Sequence, residues 1–274
     1  MRKINYGKMK NIIYLIITIA LIFSLISITL YSGTWPPLSV VESDSMEHSS
    51  NFQWNTIETG STVIVKKVTS PSQIITYVGG RTSGFESYGE YGDVILYHSI
   101  AGYVVIHRAM FYLSWNGTKP VVQGYTNQPW LKVTDKYVLI SDVGFSHRNE
   151  VVFISSFVGT SGFITTGDNN LARSTDYRSS LNAYVAADQN ILFSPKGQIF
   201  PPVNFSSIVG IARGDIPLFG LYKLYLLELT GQWNKENEVP TNSNIYLGMI
   251  TAALLAAVFF PYRKIIRMIQ KKRS

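Results

Sequence analysis

Residues 91–109 read YGDVILYHSIAGYVVIHRA and decide the predicted fold. Two runs rich in Val, Ile and Tyr, 93–97 and 103–107, lie on either side of a stretch that contains Ser and Gly. Short runs of this composition are typical of β-strands. Similar runs occupy 62–68, 137–141 and 150–156, and residues 50–210 carry no strong helical periodicity. The sequence therefore predicts a mostly β body.

Other parts of the chain have a different composition. Residues 114–135 and 173–203 are rich in turn-forming residues and are predicted to be long loops or insertions. Residues 221–233, LYKLYLLELTGQW, fit either a strand or an amphipathic helix that lies against a membrane surface. A polar linker, 234–244, follows this segment.

Two apolar runs flank the β region. Residues 12–30 contain no charged residue and are rich in Ile and Leu, and a membrane span needs roughly 20 such residues. The second run, 245–260, is shorter and rich in alanine. Lys and Arg cluster outside both runs, which predicts two spans with both termini in the cytoplasm. The predicted division is a tail (1–11), an anchor (12–31), an extracytoplasmic β domain (32–243), a second helix (244–262) and a tail (263–274).

The formal net charge of +7 also belongs to the ends of the chain. Residues 1–32 and 244–274 together hold ten basic residues and no acidic one, while residues 33–243 hold 14 basic and 17 acidic residues. This distribution argues against nucleic-acid binding and in favour of a lipid bilayer as partner. The absence of cysteine excludes disulfides, thiolate metal sites and a cysteine nucleophile.

A serine-rich stretch, VVESDSMEH at 40–48, lies just beyond the first apolar run. Its S-x-S-M pattern resembles the nucleophile box of type I signal peptidases, membrane-bound proteases that remove secretory leader peptides. The resemblance implies that Ser45 is the nucleophile. Ser43 resembles the position that donates a hydroxyl to the oxyanion in bacterial relatives, although a loop or helix-capping serine is an equal alternative. His48 stands where the family usually has proline, and we expect a surface histidine there.

The 91–109 stretch resembles a second box of the same family. Its GDVILY strand precedes an I-H-R motif by the family's usual distance, which implies that His107 is the general base. Bacterial members have a lysine at this position, so a histidine indicates the archaeal and endoplasmic-reticulum branch. His147 also precedes an arginine, but its polar loop, GFSHRNE, is typical of a solvated side chain.

Residues 162–170, GFITTGDNN, resemble the third box, G-[FY]-I-T-K-G-D-N-N, with Thr166 in place of its lysine. The resemblance implies that Asp168 supports the catalytic network and that a later aspartate orients the histidine. Asp176, eight positions after Asp168 where six is usual, is the preferred candidate. Asp188 is the alternative, because Asp-Gln often follows in archaeal relatives.

The resemblance implies a mostly β signal-peptidase body, flanked by N- and C-terminal transmembrane helices, on the outer face of the cell membrane. The enzyme would be a serine endopeptidase that needs no metal or cofactor and cleaves signal peptides after small residues at positions −1 and −3. The substrate would bind as an added strand against Val41, Val105 and Ile106. The protein-translocation channel is a further candidate partner. The alternative is a non-catalytic, membrane-tethered β module that binds a cell-surface partner.

Overall fold

The computed structural model describes residues 6–124, 127–192 and 199–259. The predicted basic tails fall largely outside these ranges, because residues 1–5 and 260–274 are not among those described. The body is mostly β and its sheets are mainly antiparallel, which confirms the predicted fold class at this level.

The larger sheet has the order β1-β2-β14-β5-β6-β11, and β7 pairs with β6. Its strands are β1 (Leu38–Val40), β2 (Thr62–Lys66), β5 (Val94–His98), β6 (Val104–Asn116), β7 (Lys119–Val122), β11 (Gly162–Thr166) and β14 (Ile208–Ile216). The second sheet has the order β12-β13-β10-β9-β8. Its strands are β8 (Leu131–Val133), β9 (Tyr137–Val143), β10 (Arg148–Phe153), β12 (Tyr177–Arg178) and β13 (Ala183–Tyr184). A small hairpin joins β3 (Glu86–Ser87) and β4 (Glu90–Tyr91).

The quoted 91–109 stretch forms the antiparallel pair β5 and β6 at the centre of the larger sheet. β6 is 13 residues long, and its middle, from His107 to Phe111, is buried. This length lets β6 pair with β5 at one end, with β7 at the other, and with β11 along its second edge. The strand therefore carries its histidine into the interior of the body.

The predicted long loops contain short strands. Residues 114–135 include the end of β6 together with β7 and β8, and residues 173–203 include β12 and β13. Residues 125–126 and 193–198 of these predicted loops lie outside the described residues. The β12–β13 hairpin returns the chain to β10, where β13 pairs with Glu150. The residues after this hairpin are consequently brought back to the body.

The helices are α1 (Tyr6–Ser32), α2 (Tyr77–Ser83), α3 (Asp168–Arg173), α4 (Leu221–Leu229) and α5 (Ser243–Phe259). α1 contains a 19-residue stretch, Tyr14–Ser32, that is long and apolar enough to cross a membrane. The apolar stretch of α5, Ser243–Ala257, is shorter than such a span. Of the two alternatives for 221–233, the helix is the one observed over 221–229, where α4 buries Leu221 and Leu224 on one face.

Candidate active site

The loop that carries Ser45 follows β1 and is fixed by the two buried side chains that come directly after the serine. Met46 is buried in the core beneath the loop. The Oε1 atom of Glu47 accepts hydrogen bonds from Thr59, at 3.0 Å from the backbone N and 2.7 Å from Oγ1. Burial raises the pKa of Glu47 to about 7 despite these bonds. The Ser43 hydroxyl donates to Ser45 Oγ at 3.4 Å, so the two predicted serines are neighbours.

His107 lies on β6 opposite Ile95 of β5 and is 8% exposed. Its Nδ1 atom is 2.7 Å from Asp188 Oδ2. A carboxylate accepts hydrogen bonds, so this contact favours the tautomer in which Nδ1 carries the proton and Nε2 has a free lone pair. An imidazole in this state can accept a proton at Nε2.

Asp188 sits in a polar network of buried residues. Its Oδ2 atom also accepts hydrogen bonds from Tyr97 Oη at 2.8 Å and from Thr165 Oγ1 at 2.7 Å. Burial raises the pKa of Tyr97 well above its ordinary value, and the neighbouring Asp188 carboxylate adds to this effect. Tyr97 is therefore a neutral donor. Gln189 continues the network, because its Oε1 accepts from the backbone N of Thr165 at 2.9 Å.

The prediction that Asp176 orients His107 is corrected by this geometry. Asp176 is exposed, and its carboxylate pairs with Arg178 at 2.8 Å. Asp188, the alternative, is in contact with the histidine. The reason is tertiary: the β12–β13 hairpin projects after Asp176 and then returns the chain, so that the turn at Asp188–Asn190 packs against β11.

Gly167 marks the point where the three sequence boxes meet. A Cβ atom placed on it would lie 2.6 Å from the carbonyl O of Ser45 and 2.9 Å from Nε2 of His107. Both distances are shorter than any normal contact, so only glycine fits between the serine loop and the histidine ring. The backbone N of Asn169 also donates to the carbonyl O of Ser45 at 2.9 Å. The third box thus holds the first one in place.

Asp168 makes a separate ionic contact. Its two oxygens accept from Nε and Nη2 of Arg108 at 2.8 and 2.6 Å, and Arg108 is only 1% exposed. The His48 Nε2 atom lies 3.0 Å from Asp168 Oδ2. Burial acts to raise the pKa of Asp168, but Arg108 and His48 outweigh it and lower the pKa to about 2. Asp168 therefore holds Arg108 and the serine loop together and does not contact His107 through any described hydrogen bond.

His48 and Thr166, the two residues that depart from the family pattern, both make side-chain contacts with other parts of the chain. The expectation of a surface histidine is wrong for His48: its side chain is 9% exposed and its ring stacks on Phe145 with centroids 4.4 Å apart. Thr166 donates to Glu150 Oε1 at 2.6 Å, and burial raises the pKa of Glu150 to about 8. The Thr166 hydroxyl thus stands where the resemblance implies a lysine, and it is paired with the carboxyl group of Glu150, which the raised pKa keeps neutral.

An open cavity of about 860 Å³ includes Ser43, Ser45, His107 and Asp188 in its lining. The predicted wall residues Val41, Val105 and Ile106 line the same cavity, although Val41 itself is 3% exposed. His147 does not line this cavity; its side chain is 79% exposed and pairs with Asp142. The structure therefore gathers the serine, one histidine and the predicted wall around one space. Within the described residues, no three His, Asp or Glu side chains are grouped to hold a metal ion.

Sequence reasoning missed Tyr97 and Thr165 as partners of the orienting carboxylate. Both lie inside the quoted boxes, but a motif does not say which way its hydroxyls point. It also missed Trp233 and its neighbours, which line the cavity from a distant part of the chain. No protein-family model matches this chain, and a search of curated proteins finds no match.

Proposed function

We propose that this protein is a membrane-bound serine endopeptidase of the type I signal peptidase kind. The observation that carries the proposal is the buried His107–Asp188 pair, whose histidine shares an open cavity with Ser45. A nucleophile, a base and a carboxylate that orients the base are the three groups needed for acyl transfer.

In the proposed reaction, Ser45 Oγ attacks the scissile carbonyl and His107 Nε2 accepts the serine proton. His107 then returns that proton to the leaving amine, so that an acyl-enzyme forms on Ser45. Water, activated by the same histidine, hydrolyses this ester. Asp188 holds the ring in the tautomer with Nδ1 protonated and stabilises the imidazolium. The Ser43 hydroxyl and the backbone N–H of Ser45 are the proposed donors to the oxyanion.

The proposed substrates are signal peptides of secretory preproteins, with small residues at −1 and −3. Val41, Val105 and Ile106 form the proposed apolar wall for an extended peptide. α1, which is apolar enough to span a bilayer, would hold this cavity near the lipid surface. We further propose a two-pass topology in which α5 is the second span, and the translocation channel as a neighbouring partner.

The test is Ser45→Ala in the full-length protein, reconstituted in vesicles with a secretory preprotein. A fluorophosphonate probe reports serine reactivity, and gel analysis reports leader removal. We expect both signals to disappear while the thermal melt stays near that of the wild type, because only the nucleophile is lost. Ser50→Ala, in an exposed part of the same loop, is the matched control.

Wild-type protein that neither reacts with the probe nor cleaves would favour the non-catalytic β module. Cleavage by Ser45→Ala at the wild-type rate would assign the activity to another residue.

A further inference from the structure

We propose that residues 232–241, here called the clamp, position the serine loop and form one wall of the substrate cleft. The clamp is the link between α4 and α5 and lies nearly 200 positions from Ser45 in sequence. The cleft-wall part of this inference rests on the proposed function. The positioning part does not, because it concerns the conformation of the loop.

Trp233 holds the loop on the N-terminal side of Ser45. Its Nε1 atom donates to the carbonyl O of Glu42 at 3.1 Å, and the residue is 5% exposed. The ring is packed in an apolar cluster with Leu218, Leu221 and Leu247. A buried indole has few alternative positions, so it fixes the backbone three residues before the serine.

Glu238 holds the residue next to the serine. Its Oε2 atom accepts from the backbone N of Asp44 at 3.3 Å and from Lys235 Nζ at 3.3 Å. Backbone bonds continue this contact beyond Ser45: Thr241 N donates to Ser50 O at 2.8 Å, and Phe52 N donates to Thr241 O at 3.3 Å. The clamp therefore contacts the serine loop on both sides of Ser45, which a simple connection to α5 would not require.

The clamp also borders the space in which a substrate would lie. Residues 232–235 line the cavity together with β1 and the start of β6. Trp233 Nε1 already donates to the Glu42 carbonyl, so a peptide strand added along β1 would share that acceptor with the indole. The exposed side chains of Gln232, Asn234 and Lys235 are further groups that a longer peptide would meet.

The positioning role is tested by amide hydrogen exchange in the full-length protein. Trp233→Phe keeps an aromatic ring but removes the N–H donor, and Glu238→Ala removes the acceptor for Asp44. We expect exchange of residues 42–47 to increase about tenfold in each variant. Glu238→Gln retains a carbonyl acceptor and should restore slow exchange. Trp54→Phe, at a 70% exposed indole nearby, is the control for a Trp substitution.

Unchanged exchange in both Trp233→Phe and Glu238→Ala would overturn the positioning role. Should Trp233→Phe be too unstable to read, Glu238→Ala and Glu238→Gln decide the question alone, since Glu238 lies on the surface side of the clamp.

Cleavage and probe labelling test the wall. We expect Trp233→Phe to lower kcat and fluorophosphonate labelling together, by about tenfold, with little change in KM. Gln232→Ala combined with Asn234→Ala should raise KM severalfold more for a preprotein than for a minimal peptide. A preprotein KM that stays at its wild-type value in this double variant would show that the clamp is no wall. Failure of the proposed function is a different result: the wild type itself would neither label nor cleave.

Discussion

Two histidine–aspartate pairs lie close to Ser45, one buried and one partly buried, and they differ in what else the carboxylate contacts. In the His107–Asp188 pair the other donors are the neutral hydroxyls of Tyr97 and Thr165. In the second pair, Asp168 is bound to His48 but also to the guanidinium of Arg108 through both oxygens.

Under the proposed function, this difference gives the two pairs different roles. Neutral donors orient the Asp188 carboxylate without cancelling its charge, so that the charge can stabilise a histidine that becomes positive. The charge of Asp168 is already compensated by the Arg108 guanidinium, so it is less able to stabilise a positive charge on His48. A histidine next to a carboxylate is therefore insufficient to identify a general base. The other partners of the carboxylate must also be neutral, so that its charge remains to stabilise the protonated histidine.

The largest expected effect is on the first pair. Asp188→Asn should retain the fold and lower the cleavage rate by up to about 10⁴-fold, because an amide favours the wrong tautomer of His107. His107→Ala should be at least as inactive. Single-turnover cleavage together with thermal melts would measure both. Asp176→Asn is the matched control, and its cleavage rate should stay within about twofold of the wild-type rate. An inactive Asp176→Asn beside an active Asp188→Asn would give the orienting role to Asp176.

Asp168→Asn should act through stability. It leaves the buried Arg108 charge uncompensated, which typically costs about 3–5 kcal/mol of unfolding free energy. The folded-state pKa of Asp168 is lowered to about 2, so its stabilising contribution is present above its unfolded pKa of 3.8 and is lost as the pH falls toward 2. The difference between the melts of the wild type and the variant should thus shrink as the pH falls from 5 toward 2. A variant with a normal melt and no activity would make Asp168 part of the chemistry.

His48 substitutions should have smaller effects. His48→Ala removes the contact with Asp168 and the stacking on Phe145, and we expect a loss of about 1 kcal/mol. His48→Gln retains a possible amide donor and should lose less. Chemical denaturation would measure both values. A rate loss as large as that of His107→Ala would give the second pair a catalytic role.

The smallest effect is expected at the surface pair of His147 and Asp142, whose side chains are 79% and 61% exposed. His147→Ala should change the unfolding free energy by less than about 0.5 kcal/mol and leave the cleavage rate unchanged. Denaturation and cleavage assays on the same preparation would check this. Loss of activity here would contradict the choice of His107 among the histidines.

Many of the strands and the first apolar helix can be predicted from local sequence. The Val, Ile and Tyr runs of 62–68, 93–97 and 103–107 predicted strands that form, since β-propensity and alternation act over a few residues. The apolar, uncharged composition of 12–30 likewise predicted a helix long enough to cross a membrane. Ser43, Ser45 and His107 are site candidates because each lies in a short pattern that resembles a family box, and the structure brings them to one cavity.

Other features depend on parts of the chain that meet only after folding. Spacing along the chain favours Asp176, but Asp188 reaches His107 because the β12–β13 hairpin takes up the intervening residues. The burial of His48 is decided by Phe145 and Asp168, and the hold on the serine loop is decided by Trp233 and Glu238. Composition and periodicity report what neighbouring residues prefer, so the sequence by itself determined the strands and the apolar helix, and the resemblance of short patterns to family boxes supplied the candidate serine and histidine. Which carboxylate each histidine meets is a distance between residues far apart in the chain, and only the tertiary structure decided it.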